Sequence, residues 1–346
     1  MGATPKTQFL TNDNLTRKRW ARDLHKIILP AVEFNYLVGS GTDAMVQSRT
    51  ELGKGEGDTI TFGIRLPLTG EGIVGNDTVE GNEEALRFKD FSMTIEELNH
   101  AVDTGGKMEE QRIPYDLMSE GKSALSDWWS DKLSDYLIAT LCGDTSFKIA
   151  GKTFAQACQD PDTGHWLTVN DTTEADITSS DVLDLTFLDR MKQRAEMPST
   201  DCYKLRPLKL SGKNYFRVIL HTYVFDALRQ NTNVGQWGDL VRSAGKLQVP
   251  QVEIEYNGML ISKSERIREV YDNVYRNILI GAQAACLAWG GAGESKSTTM
   301  AFVPYEKDAK RFVMVRGGGI LGIKKTRFDS KDYGLITGSS YGAALT

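Results

Sequence analysis

Two stretches of alternating apolar and polar residues, joined by a long polar linker, constrain the fold of this chain most. In the first stretch, 58–68, every second residue from Ile60 to Leu68 is apolar, a period that is typical of a half-buried β-strand. The second stretch, 85–98, also alternates, but its apolar phase changes from even to odd positions after Phe88. A phase change of one residue predicts a β-bulge in the second strand.

The linker between the two strands, 69–84, has 16 residues, whereas hairpin loops usually have about two to five. It holds four glycines, three apolar residues and five acids, namely Glu71, Asp77, Glu80, Glu83 and Glu84. A loop with so few apolar anchors would project from the body of the protein. It is either a mobile surface loop without a role or an interaction loop, and we favour the second.

A long helix is predicted after the hairpin, over 114–142. Pro114 suits the first turn of a helix and Gly143 suits its C-terminal cap. Apolar residues recur at spacings of three and four from Leu125 to Leu141. With 29 residues, this helix would be about 43 Å long. It therefore needs an extended partner surface, either a sheet or a neighbouring subunit.

The remaining segments predict mixed α and β structure. A short amphipathic helix is expected within 15–38, and loops over 144–180. Further helices are expected over 181–197, 223–229, 237–241 and the small-residue segment 278–289. Strands are expected over 216–220, in a hairpin at 252–261 with an Asn257-Gly258 turn, and over 312–336 with breaks at glycines.

Charge and composition exclude several classes of protein. The net charge is −5, which argues against a general nucleic-acid binder, although residues 1–26 and 306–346 each carry a net charge of +4. The longest apolar run has 12 residues, too few for a membrane span of about 20. The N-terminus lacks the apolar core of a signal peptide. Four widely spaced cysteines, Cys142, Cys158, Cys202 and Cys286, predict buried thiols in a reducing compartment.

Three consensus motifs of catalytic or ligand-binding sites match this sequence in residue letters, but not in the structural context that each motif requires. Gly317-x-Gly319-x-x-Gly322 resembles a dinucleotide fingerprint, but no helix is expected after it. In 290–297, Ser295 stands where a phosphate loop requires glycine, and we interpret the preceding segment as a helix rather than a strand. Gly338-x-Ser340-x-Gly342 lacks a following histidine. The four histidines show no metal-ligand spacing. The sequence therefore predicts no catalytic, cofactor-binding or metal site, and surfaces for contact with partners instead.

Three stretches resemble the major capsid protein family of the N-four-like tailed bacteriophages. They are GDTITFGIRLPLTGEGIVGNDTVEGNEEAL at 57–86, RIPYDLMSEGKSALSDWWSDKLSDYL at 112–137 and GIKKTRFDSKDYG at 322–334. The first is the most specific, because its long glycine- and acid-rich form is unlike a generic hairpin. The resemblance covers most of the chain and is weakest across 144–180.

The resemblance implies an α+β chain with the Hong Kong 97-type phage capsid fold. In that fold, an N-terminal arm leads to an extended hairpin called the E-loop, a long spine helix, and peripheral and axial domains. The implied divisions here are the arm 1–50, the E-loop 51–104, a peripheral domain 105–180 with the spine helix at 112–142 and a loop excursion, the axial domain 181–290, and a return to the peripheral domain over 291–346.

The implied function is that of a major capsid protein. Its hexamers and pentamers would form the icosahedral head that encloses phage double-stranded DNA, after assembly in the bacterial host cytoplasm. The alternative is a minor shell or decoration protein of a phage particle. We expect neither an enzyme nor a cofactor.

The expected partners are further copies of the chain, the portal protein, a cement or decoration protein, and DNA contacted non-specifically through the basic ends. A separate scaffolding protein is also expected, because only about 50 residues precede the E-loop. The five linker acids would face Lys or Arg on an adjacent subunit. Some relatives join an E-loop Lys to an Asn of a neighbour, but 69–84 contains no Lys, so no crosslink is expected at this tip.

Overall fold

The fold was obtained as a computed structural model. It describes residues 34–50, 57–66, 68, 70–75, 78–112, 116–199, 202–210, 212–231, 252–291, 300–308 and 312–344. The amphipathic helix expected within 15–38 lies mostly outside these residues. The helix expected at 237–241 and most of the phosphate-loop resemblance at 290–297 also lie outside them.

The described residues form five α-helices and 18 strands. The helices are α1 (Phe34–Leu37), α2 (Lys107–Arg112), α3 (Leu117–Cys142), α4 (Leu185–Glu196) and α5 (Thr222–Gln230). The strands of the first half are β1 (Val38–Gly39), β2 (Val46–Arg49), β3 (Thr59–Arg65), β4 (Phe88–Thr94), β5 (Glu96–Gly106), β6 (Trp166–Thr168), β7 (Leu208–Leu210), β8 (Lys213–His221) and β9 (Ile254–Tyr256). Those of the second half are β10 (Met259–Ser264), β11 (Glu269–Tyr271), β12 (Val274–Ile280), β13 (Ala285–Trp289), β14 (Met300–Lys307), β15 (Phe312–Lys325), β16 (Arg327–Phe328), β17 (Lys331–Asp332) and β18 (Leu335–Tyr341).

Two large sheets and two small hairpins organise these strands. The six-stranded sheet has the order β1-β2-β13-β15-β14, and β5 also pairs with β15. The eight-stranded sheet has the order β6-β18-β12-β8-β10-β9, with β11 on β12 and β7 on β8. The pairs β3-β4 and β16-β17 stand apart as hairpins. Helix α3 packs against β15 and β5, whereas α4 packs on β18 and α5 on β8.

The long helix is confirmed, with a different first residue. Helix α3 begins at Leu117, because the Asp116 side chain accepts hydrogen bonds from the backbone N–H groups of Met118 and Ser119. It ends at Gly143, whose φ of 73° is the left-handed conformation expected of a glycine C-cap. The separate helix α2 precedes it. The position of Pro114 lies outside the described residues.

The predicted hairpin is also confirmed, but the predicted bulge is wrong. Strands β3 and β4 pair in an unbroken antiparallel register from Thr59–Thr94 to Arg65–Phe88. Phe91 and Met93 are buried, whereas Phe88 is exposed. The change of apolar phase therefore marks the place where the hairpin leaves the body of the protein, and the strand itself continues without an extra residue.

The segment 278–289 was expected as a helix and forms strands β12 and β13 instead. Both strands are buried along their whole length. Strands buried on both faces have a continuous apolar sequence, which periodicity alone cannot distinguish from a buried helix. This correction removes one argument against a phosphate loop at 290–297, namely the absence of a preceding strand, and leaves the argument from Ser295.

The strands expected over 312–336 are present, with a break at Gly334 before β18, but the glycines at 317–322 do not interrupt the first of them. Strand β15 runs without interruption through Gly317, Gly318, Gly319 and Gly322. A Cβ atom at Gly322 would lie 2.1 Å from the carbonyl oxygen of Thr94. The glycines therefore permit close packing of neighbouring elements, and the dinucleotide fingerprint lies inside a strand.

The other expected elements are largely confirmed. Helix α4 begins four residues later than expected, after Asp184, whose side chain caps it by accepting from the Phe187 N–H. The turn between β9 and β10 has positive φ at Asn257 and Gly258, as the sequence predicted. Among the helices of the described residues, none combines the length and the apolar character that a membrane crossing requires.

Candidate assembly surface

The base of the β3–β4 hairpin packs against the body through apolar side chains. Phe91 and Met93 of β4 belong to a small buried cluster with Cys286, Ala288 and Phe328. The ring of Phe91 meets that of Phe328 edge-on, with ring centroids 6.3 Å apart. Partly buried side chains on β3, namely Ile60, Phe62 and Ile64, complete the contact. Alternation along β3 thus places one face of the hairpin on the protein.

Polar contacts fix strand β4 to the body at three of its residues, Thr94, Ser92 and Lys89. Thr94 donates from its hydroxyl to the carbonyl of Ala155 over 3.0 Å. The Lys324 ammonium donates to the carbonyl of Ser92 over 2.6 Å. The Lys89 ammonium donates to the hydroxyl of Tyr203 over 3.2 Å and forms an ion pair with Asp329.

The tip beyond these anchors exposes apolar side chains. All described residues of 70–75 and 78–88 are exposed. Val74 is 84% exposed, Val79 64%, Leu86 58% and Phe88 66%. Scattered exposed apolar residues are normal, but several on one segment mark a site of interaction with another protein.

The five acids of the tip do not all point to a partner. Glu84 accepts a hydrogen bond from the Gly70 N–H over 2.7 Å and lies 3.5 Å from Arg87, so it joins the two sides of the loop. Glu83 accepts from the Gly81 N–H over 2.9 Å. Glu71 and Glu80 are exposed, whereas Asp77 lies outside the described residues. Of the described acids, Glu71 and Glu80 are therefore the better candidates for contact with another subunit.

A second exposed surface lies on one face of strands β5, β15 and β14. Their register aligns Ala101, Arg316 and Val303 in one row, and Asp103, Met314 and Tyr305 in the next. Val303 is 43% and Tyr305 57% exposed. These residues other than Asp103, together with Lys307, line a groove of about 420 Å³. The sequence analysis missed this surface, although the alternating exposed apolar residues before Lys307 were a usable signal.

Helix α3 packs on the opposite face of β5 and β15, whereas the described side chains of β14 from Phe302 to Lys307 are exposed on both faces. The ring of His100 on β5 stacks on Trp128 of α3, with centroids 4.4 Å apart. Gly121 lies so close to β5 that a Cβ atom there would be 3.2 Å from Thr104 Cγ2. Gly317 of β15 faces Trp129 in the same way, at 2.9 Å from Nε1. One face of the sheet thus serves the core, and the other is open to a partner.

The buried polar groups are used for structure. Arg276 donates to both carboxylate oxygens of Glu174, over 2.7 and 2.8 Å, and to the carbonyl of Gly143. Glu174 holds the pKa of Arg276 above its usual value although burial opposes this. Lys325 and Asp332 form a fully buried ion pair. Ser340, from the hydrolase-like motif, is buried and accepts from Asn277.

The thiols also lack the features of reactive groups. All four cysteines are free and buried. Burial raises the pKa of Cys142 to about 12, and it also raises the pKa values of Cys158 and Cys286. A thiol with a raised pKa is a poor nucleophile at neutral pH. Within the described residues, no group of His, Cys, Asp and Glu could hold a metal ion.

Comparison with known families decides the identity. Residues 8–258 match the family described as Phage capsid protein. This chain belongs to that family. A curated relative is the major capsid protein of Pseudomonas phage KPP25, which is 26% identical over 138 residues. The match covers 40% of this chain and 37% of that relative, so the chain matches well under half of the relative's length.

Solved capsid structures share the fold of the phage capsid family member described here. The capsid protein of Ralstonia phage GP4 has a TM-score of 0.83 at 23% identity, over 99% of this chain and 100% of that one. The Cyanophage Pam1 capsid protein has a TM-score of 0.76 at 17% identity, over 98% and 100%. The head protein of Helicobacter pylori phage KHP40 has a TM-score of 0.70 at 14% identity, over 98% and 99%. The chain therefore has the Hong Kong 97-type fold of phage capsid proteins and is a structural component of the virion.

Proposed function

We propose that this chain is the major capsid protein of a tailed phage. Its copies would assemble into hexamers and pentamers that form an icosahedral head around double-stranded DNA. The observation that carries the proposal is the hairpin tip, which exposes Val74 and Val79 in a chain of the phage capsid family. An exposed apolar tip gains free energy when a neighbouring subunit covers it.

Head-to-tail contacts of this kind suit a closed shell. When the tip of one subunit contacts a different surface on the next, the interface is heterologous, and such interfaces form rings if the rotation closes. Each contact can be weak, because a subunit in a shell is held on several sides and its contacts add up.

The elements of the fold fit the roles implied by the sequence. The β3–β4 hairpin would be the E-loop within 51–104, and α3 the spine helix within 112–142. The arm 1–50 would contribute β1 and β2, and the axial domain 181–290 would be built on the eight-stranded sheet. That sheet also takes β6 and β18 from the proposed peripheral segments 105–180 and 291–346, so the two domains would share strands.

The open face of β5, β15 and β14 is the surface that best complements the acidic tip. It presents Arg316 and Lys307 beside the apolar Val303 and Tyr305. The tip presents Glu71 and Glu80 beside Val74 and Val79. Opposite charges around apolar centres favour one register of contact and suppress others.

The remaining partners follow from the charge distribution and from the role of the protein. The basic segments 1–26 and 306–346 would offset DNA phosphate charge without reading sequence. A separate scaffolding protein would direct assembly, which would take place in the bacterial host cytoplasm. The portal protein and a cement or decoration protein would complete the head.

Charge reversal at the tip tests this proposal. The double variant Glu71→Lys/Glu80→Lys should lose closed shells and capsomers, seen by electron microscopy and light scattering, while the unassembled chain keeps the circular dichroism spectrum and melting temperature of the original. The matched control, Glu265→Lys/Asp272→Lys, makes the same change of net charge at two exposed residues outside the hairpin and should still assemble.

The pairing with the open face has its own test. Adding Arg316→Glu to Glu80→Lys should restore part of the assembly that each single change removes. Assembly that is unaffected by the double tip reversal would overturn the role of the tip acids. A lack of rescue with Arg316→Glu would overturn only the choice of the receiving surface.

A further inference from the structure

The outer half of the hairpin is not close-packed against the body of the protein. A groove of about 440 Å³ lies there, lined by Ile64 and Leu66 of the hairpin and by Tyr203, Phe328 and Tyr333 of the body. Close-packed interfaces leave few voids larger than a water molecule. The apolar contact therefore does not by itself fix the angle at which the hairpin leaves the protein.

Lys89 crosses this region and binds the body at two points. Its ammonium pairs with Asp329, donates to the Tyr203 hydroxyl over 3.2 Å and lies 5.8 Å from the centre of the Tyr203 ring. The Lys89 side chain is 24% exposed and that of Asp329 58%, so only the lysine side of the contact is shielded from water. Ion pairs that are partly shielded are screened less by salt than exposed ones.

The partner of Lys89 is held by a rigid turn. Asp329 and Ser330 join β16 to β17, and both have positive φ, 53° and 61°. These values suit the tight two-residue turn of a hairpin. Asp332 of β17 is in turn bound to Arg327 and to the buried Lys325. Asp329 is therefore a fixed point of the body rather than part of a loose loop.

We propose that Lys89 is a positioning residue that sets the angle of the hairpin. The anchors Ser92 and Thr94 lie toward the inner end of β4, whereas Lys89 lies next to its outer end at Phe88. The five residues from Thr94 to Lys89 span about 17 Å, and the 11 residues from 66 to 76 reach at most about 40 Å. A shift of 1 Å at Lys89 would thus move the tip by at most about 3 Å, in proportion to these lengths.

The Lys89–Asp329 ion pair would therefore set the position at which the tip contacts a neighbouring subunit. Loss of the Lys89–Asp329 contact would leave the hairpin folded, because the β3–β4 pairing and the Phe91–Met93 packing remain. It would broaden the range of hairpin angles. The effect on assembly rests on the proposed function, whereas the effect on the hairpin angle does not.

Distance measurements by electron paramagnetic resonance test the angle directly. Spin labels are placed on the full-length unassembled chain at Leu86→Cys in the hairpin and at Lys209→Cys on β7, both exposed. The four native cysteines are buried, so two labels per chain are expected. Lys89→Met and Asp329→Asn should each at least double the width of the distance distribution.

Two further variants keep the result interpretable. The charge swap Lys89→Glu/Asp329→Lys should restore the original width. The matched control Lys324→Met removes the amine that binds Ser92, nearer the hairpin base, and should change the width by less than a third. An unchanged width in Lys89→Met, or equal broadening in the control, would overturn the proposal whether or not the chain assembles.

Discussion

The residue type at several positions of this chain is determined as much by neighbours in space as by neighbours in the sequence. A Cβ atom at Gly317 would lie 2.9 Å from Trp129 Nε1, and one at Gly338 would lie 2.7 Å from the sulfur of Met191. Both glycines belong to letter patterns that resemble binding or catalytic motifs. Their role is close approach between packed elements, which is one of the physical reasons for glycine in a strand.

His221 gives a prediction about pH at this scale. Burial lowers the pKa of His221 to about 4, from an ordinary value near 6.5. Between pH 6.5 and 4, the unfolded chain therefore gains a proton that the folded chain does not. The free energy of unfolding should fall across this range by up to about 3 kcal/mol from this group, measured by urea denaturation of the unassembled chain at several pH values.

The variant His221→Asn isolates that contribution. His221 caps α5 by accepting from the Tyr223 N–H, and an Asn side chain can accept the same bond without titrating. The variant should lose less stability than the original chain between pH 6.5 and 4. Equal losses in the two proteins would show that His221 does not contribute, since the carboxylates are common to both.

At the scale of elements, helix α3 supports one of the two surfaces proposed for assembly, the open face of β5 and β15. Its buried stripe, which includes Leu125, Trp129 and Leu133, fixes the inner face of β5 and β15 and leaves their outer face open. The packing of α3 therefore supports the surface that would receive a neighbour's tip. Its length of 26 residues, about 39 Å, matches an extended sheet rather than a small core.

The N-terminus of α3 gives a prediction about stability. Asp116 accepts from the N–H groups of Met118 and Ser119 over 3.0 and 3.2 Å. Asp116→Ala leaves these donors without that acceptor and should lower the free energy of unfolding by about 1 kcal/mol. Asp116→Asn keeps an acceptor and should cost much less. Equal effects of the two changes in thermal melts would contradict a capping role.

At the scale of the whole molecule, the hairpin is buried at its base and exposed at its tip. The two large sheets and the helices that cover them form the core, whereas the described residues of 70–75 and 78–88 remain exposed. Under the proposed function, a neighbouring subunit would cover the apolar side chains that the tip exposes in the single chain.

The composition of the tip predicts that the shell is held without covalent bonds there. Segment 69–84 contains no Lys, so it has no side-chain amine for an amide crosslink. On a denaturing gel of purified mature particles, this chain should run as one band near 38.4 kDa, with or without reductant. A ladder of multimers that survives reductant would contradict this prediction.

The sequence by itself determined the features that local patterns encode. Alternation from Ile60 to Ile64 gave the hairpin strand, and spacings from Leu125 to Leu141 gave the long helix, because a periodic apolar face is a local property. The length and acidity of 69–84 indicated an interaction loop, and three quoted stretches indicated the capsid family. Glu71, Asp77, Glu80, Glu83 and Glu84 remain a prediction as a set of interface residues.

Only the tertiary structure decided the rest, because it depends on residues far apart in the chain. Segments 278–280 and 285–289 form strands since both of their faces are buried, which no local period reveals. The open face of β5 and β15 exists because α3 covers the other side of these two strands, and β14 extends it by pairing with β15. The contact between Lys89 and Asp329 joins residues 240 positions apart, and no pattern in the sequence pairs them.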